Sequence, residues 1–153
     1  MSLPDQEQSR AILIGVGRYQ DPNLPDLPAV ANNLIDLANV LTGAYGVLPA
    51  SKCAVISEPR DVPSLGRQLR RVAEEALDLL LVYYAGHGLI GSESYELYLA
   101  LQESLYDDPY YTALPFDGIR RAMRDSPART RVLILDCCFS GRAIEDVMAE
   151  PAG

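Results

Sequence analysis

Two kinds of apolar pattern divide this chain. The first is a continuous run of four to six residues. Ala11-Ile12-Leu13-Ile14-Gly15-Val16 is one, Lys52 to Ile56 a shorter one, Leu79 to Tyr84 a third and Arg131 to Asp136 a fourth. Such runs predict strands buried on both faces. The second pattern repeats every three or four positions. Val30, Leu34, Leu37 and Leu41 mark one helix face; Leu65, Leu69, Val72 and Ala76 mark another; Phe116, Ile119 and Met123 mark a third that stops near Ser126-Pro127. Asp61 is placed to cap the second helix, with Pro63 in its first turn. Glu96 to Leu101 reads as half of a hairpin, Gln20 to Pro28 as a loop rich in Pro, Asp and Asn, Gln102 to Tyr111 as an exposed loop, and a last helix is expected from about Gly141 or Arg142. Strand and helix alternate, which predicts an α/β fold with a parallel sheet and helices on both faces.

Length fits one domain with a real core. Lys and Arg number 13 against 21 Asp and Glu, a net charge of −8. That disfavours nucleic acid and anionic membranes as partners, since phosphates demand clustered cations. The polar start of the chain lacks an apolar signal segment, and no apolar run reaches bilayer-spanning length. With three cysteines, an odd number, a reducing cytoplasm is the expected home, and thiols are expected rather than disulfides.

The chemistry gathers at two strand ends. Tyr83-Tyr84-Ala85-Gly86-His87-Gly88 holds the only histidine, and Leu135-Asp136-Cys137-Cys138-Phe139-Ser140-Gly141 holds two of the cysteines. Strand ends are where open α/β sheets build their sites. If the third and fourth strands are neighbours, His87 can serve a Cys138 thiolate as acid and base. Gly86 is expected to let the chain turn. The N–H groups of Gly88 and Cys138 are candidates for an oxyanion hole. Strand alternation sends one of the two adjacent cysteines into the core, and Cys137 suits that inert role, as does Cys53 within its strand.

Other chemistries fit worse. Arg142 stands five positions after Cys137 and four after Cys138, so neither cysteine has the spacing of a cysteine-phosphatase loop. Gly15-Val16-Gly17-Arg18-Tyr19-Gln20 lacks the third glycine of a dinucleotide fingerprint, and no Gly-Lys-Ser/Thr phosphate loop occurs. One histidine and scattered cysteines do not make a zinc site, so no metal ligands are expected.

The stretches Ala11 to Tyr19, Leu27 to Leu34, Tyr-Tyr-Ala-Gly-His-Gly and Asp-Cys-Cys-Phe-Ser-Gly together resemble the caspase-like peptidases, in their bacterial caspase, metacaspase and paracaspase branch. The resemblance implies a caspase-like three-layer α-β-α sandwich over residues 10–143, after a polar tail of residues 1–9, with residues 144–153 leading toward a small-subunit-like part that this chain does not contain. It implies His87 as general acid/base, Cys138 as nucleophile (the second residue after Asp in the family's Asp-x-Cys-x-Ser-Gly pattern) and Gly88 as an oxyanion donor. Asp136 would line the first specificity pocket, with Asn33 where relatives often carry a second acid; a basic residue before the scissile bond is the expectation. Metacaspase-like relatives often need calcium for activation; the one local acidic pair here, Asp107-Asp108, lacks the alternating oxygen ligands of a dedicated loop and reads better as a solvated acidic loop, so no cofactor is expected. The implied partners are a peptide or protein substrate, the small-subunit-like part, and fused or associated sensor or adaptor modules in bacterial defence. The expected function is a cysteine endopeptidase, poorly active without its second part. The rivals are a catalytically silent caspase-like interaction module and a flavodoxin-like small-molecule binder.

Overall fold

The computed structural model describes residues 2–92 and 95–139. In chain order the elements are β1 (Arg10–Gly15), α1 (Ala29–Thr42), β2 (Cys53–Ser57), α2 (Val62–Glu75), β3 (Leu79–Ile90), β4 (Leu97–Leu99), α3 (Pro109–Thr112), β5 (Leu114–Pro115), α4 (Phe116–Asp125) and β6 (Thr130–Phe139). Each expected strand and helix among the described residues is present. The helix expected near Gly141 falls outside them.

β3 is the spine. β1 and β6 flank it in parallel, and β2 extends the sheet beyond β1. Gly88 pairs with Phe139 on one side and with Leu99 on the other, so β4 lies on the β1 edge of β3, just beyond the end of β1. β5 follows β4, both antiparallel to their neighbours.

Alternation along the strands fills two cores. Ile12, Ile14, Leu80, Val82 and Tyr84 meet Leu65, Leu69 and Val72 of α2 and Ile119 and Met123 of α4. Ala11, Leu13, Leu81, Tyr83 and Ala85 meet Val30 and Leu34 of α1. Burying these faces against helices on both sides is the hydrophobic gain that fixes the layer order. The second helix starts as its sequence requires: Asp61 accepts the Ser64 N–H at 2.8 Å, and Pro63 stands in the first turn.

Two expectations need correction. The loop Gln102 to Tyr111 is not wholly irregular, because Pro109 and the residues after it form the single turn of α3. More important, β3 does not end at Tyr84. It runs on through Gly86, His87 and Gly88 to Ile90, and no glycine among the described residues adopts positive φ. Gly86 therefore makes no turn. Its bare Cα makes room instead: a Cβ there would lie 2.4 Å from Tyr84 Oη and 2.7 Å from Tyr19 Oη. Both oxygens are held by other hydrogen bonds, so neither moves aside without loss. Gly86→Ala is expected to lower stability by about 1–3 kcal/mol, the usual cost of overfilling a packed site. Urea unfolding of the variant beside the parent measures it, and an unchanged midpoint would contradict the close packing.

Candidate active site

The β3–β6 register decides what meets at the sheet end. Ala85 stands opposite Asp136, Gly86 opposite Cys137 and His87 opposite Cys138. Partners in a parallel pair share a face of the sheet, and adjacent strands lie about 4.8 Å apart. The register thus sets residue 138 directly opposite His87. Cys137 belongs to the opposite face and packs against the core beside Leu133 and Leu135. Cys53 is half-buried at the start of β2, and burial pushes its thiol pKa up.

His87 is 4% exposed. Its Nε2 lies 2.7 Å from the Pro25 carbonyl oxygen. A carbonyl only accepts, so Nε2 carries a proton, and in the neutral ring Nδ1 is the nitrogen without one. The Tyr19 ring lies 4.8 Å from the imidazole, tilted by 56°. The peptide groups around His87 are held as well. Its N–H donates to Tyr19 Oη at 2.9 Å, and its carbonyl accepts from Ala100 N at 3.0 Å and from Tyr84 Oη at 3.0 Å. Burial pushes the Tyr19 phenol up to about 12, and burial raises Tyr84 well above its ordinary value. Both phenols therefore keep their protons at any ordinary pH.

Backbone direction alternates along β3. The Ala85 and His87 carbonyls face β1 and β4, where they accept from Val16 and Ala100. The Gly88 N–H consequently faces β6, in the seam that also contains Cys138.

On the α1 side a cavity of about 200 Å³ opens beside this seam. Leu27, Pro28 and Val30 form an apolar wall, Ala85 and Gly86 the floor, and Asn33 and Asp136 the polar groups. Asp136 and Asn33, which the family resemblance suggests for a specificity pocket, thus line one cavity. Tyr83 Oη donates to Asp136 Oδ2 at 3.2 Å, and burial first, then Asp136, raises the Tyr83 phenol. Among the described residues no group of three or more His, Cys, Asp or Glu gathers as a metal site. Asp108 begins α3, and its carbonyl accepts the Thr112 hydroxyl.

Several contributors are invisible as motifs. Pro25 acts through its backbone carbonyl, which any residue offers. The loop that presents it is tied down by acids: Asp21 accepts from Asn23 N at 2.9 Å and from Tyr106 N at 2.8 Å, Asp26 accepts from Tyr19 N at 3.1 Å, and Glu58 accepts from Gly17 N and Arg18 N. Short acids in a Pro- and Asn-rich loop are the one signal that could have suggested such ties.

The family model for the caspase domain matches residues 8–152, and the chain belongs to this family of cysteine peptidases. No curated protein sequence matches it. Among solved structures it is similar to the Geobacter sulfurreducens protein GSU0716, at 14% identity and a TM-score of 0.61, over 92% of this chain and 54% of that one. It is also similar to caspase-1 from Spodoptera frugiperda, at 14% identity and a TM-score of 0.54, over 88% of this chain and 49% of that one. The chain therefore spans about half the length of these two structures, which share its fold. No helix among the described residues is long and apolar enough to cross a membrane.

The Tyr106 and Asn23 amides hold the Asp21 carboxyl below its ordinary value of 3.8. A depressed carboxylate adds stability above that value and loses it as pH falls through the folded one. Asp21→Ala is expected to melt lower than the parent at pH 7, with the difference closing in strong acid, well below the ordinary value. Melting curves at both pH values check this; a gap that persists in acid would contradict it.

Proposed function

We propose that this chain carries the Cys/His centre of a cysteine endopeptidase, with Cys138 as nucleophile and His87 as acid and base. The observation that carries the reading is the β3–β6 register that pairs these two residues. The Cys138 thiol gives its proton to His87 Nδ1. The thiolate adds to the scissile carbonyl carbon, and the carbonyl electron pair moves to oxygen. That oxygen would enter the β3–β6 seam, where the Gly88 and Cys138 N–H groups can meet it once the strand tips part there. As the carbonyl re-forms, the C–N bond breaks and Nδ1 returns its proton to the leaving amine. Water, losing its proton to His87, then opens the thioester. The acid departs and the thiol is restored. Through Nε2, the Pro25 carbonyl steadies the imidazolium that appears twice in this cycle.

The cavity beside the seam suits the residue preceding the cut. An apolar wall fits an alkyl stem, and Asp136 fits a terminal cation, which favours Arg or Lys. Asn33 contributes a neutral acceptor where a second carboxylate would have strengthened the charge match. The Tyr83 hydroxyl holds the Asp136 carboxylate toward the cavity.

Among the described residues β6 has a strand partner only in β3. On its α1 side Val132 and Ile134 are 39% and 42% exposed. These features suit coverage by a further part of the peptidase, which would complete the pocket. Sensor or adaptor modules, a cytoplasmic setting and a role in bacterial defence belong to the same reading, supported by family membership alone.

Side-by-side assay of Arg-, Lys- and Asp-ended fluorogenic peptides with the complete enzyme tests the function. Cleavage is expected after Arg or Lys. It should vanish in Cys138→Ala and fall by about a hundredfold or more in His87→Ala. Cleavage by Cys138→Ala would contradict the nucleophile, and preference for Asp would contradict the pocket.

A further inference from the structure

We infer that Tyr19 is a positioning residue for His87, its hydroxyl holding the peptide that carries the imidazole and its ring packing against the imidazole itself. This rests on the peptidase reading and goes beyond it.

The need for such a residue arises from the sheet. β1 pairs with β3 only as far as Gly15 opposite Ala85, and β4 takes over at Leu99 opposite Gly88. The His87 N–H points into the gap between them. A buried amide left without an acceptor is costly. Tyr19 Oη occupies the gap: it accepts from His87 N at 2.9 Å and donates to the Val16 carbonyl at 2.8 Å. One hydroxyl thus continues the β1 edge past its last strand residue. From the same position the Tyr19 ring faces the imidazole. The Tyr19 backbone N–H donates to Asp26, the neighbour of Pro25. The same residue is thereby bound to the peptide that carries the imidazole and to the loop that supplies the Nε2 acceptor. Tyr84 grips the carbonyl side of His87, and Gly86 leaves space for both phenols. Burial keeps the Tyr19 proton in place, so the hydroxyl both donates and accepts throughout the working pH range.

Because His87 is the only histidine, nitrogen NMR of the labelled chain reads a single imidazole. At a pH where the ring is neutral, the parent should show its proton on Nε2. Tyr19→Leu removes hydroxyl and ring; the two nitrogens should then average toward a mixture of tautomers, and iodoacetamide labelling of Cys138 should slow about tenfold to a hundredfold. Tyr19→Phe keeps the ring. It should retain the nitrogen pattern while the His87 amide exchanges about threefold to tenfold faster. A residue that only fills the core would lower the melting temperature and leave the imidazole pattern as it was. An unchanged nitrogen pattern in Tyr19→Leu, or unchanged amide exchange in Tyr19→Phe, overturns the inference; should Tyr19→Leu not fold, Tyr19→Phe decides. Failure of the peptidase reading looks different: parent Cys138 would then label no faster than Cys53, while the imidazole pattern still judges Tyr19.

Discussion

The candidate site depends on one alignment, the parallel register between β3 and β6. A strand repeats its facing every two residues, so a slip of one would move Cys138 to the far face and bring Cys137 forward. The slip is opposed by packing: Leu133 and Leu135 of β6 meet the α2–α4 core beside Val82 and Tyr84 of β3. The Tyr83–Asp136 hydrogen bond adds a polar check on the same alignment. Chemistry at the sheet end is thus inherited from hydrophobic packing further down.

Continuing β3 past Tyr84 has a consequence for rigidity. A histidine in a loop after a strand would have several accessible orientations. Here the backbone on both sides of His87 is hydrogen-bonded, and the ring has a fixed acceptor in Pro25. Entropy that substrate binding would otherwise remove has been lost on folding, which is the physical meaning of preorganisation. Asp21, Asp26 and Glu58 extend that order into a loop without regular structure, each carboxylate accepting backbone N–H groups. Of the three, Asp21 is held below its ordinary carboxylate value, so its tie weakens in acid.

Much of this was legible in the residues. Long apolar runs identified β1, β3 and β6, and Leu65, Leu69 and Val72 identified the buried face of α2, because period and burial follow from the same geometry. Asp136 and Asn33, proposed through family resemblance, do share a cavity. What escaped was set by tertiary contact. Gly86 looked like a turn, since glycine permits one, yet it is used for the absence of a side chain beneath two phenols. The extra length of β3 comes from pairing with β4 and β6, which no local propensity encodes. Pro25 contributes a carbonyl, and carbonyls carry no residue signature.

Adjacency of residues 87 and 138 can be measured without reference to activity. A His87→Cys substitution in a Cys137→Ser background places two thiols at one register position, within the Cα separation of about 4.4–6.8 Å that disulfides usually span. Mild oxidation followed by peptide mapping should recover residues 87 and 138 in one disulfide-linked fragment, with Cys53 left out. A folded variant in which residue 87 stays unlinked, or links to Cys53, would contradict the register and the site built on it.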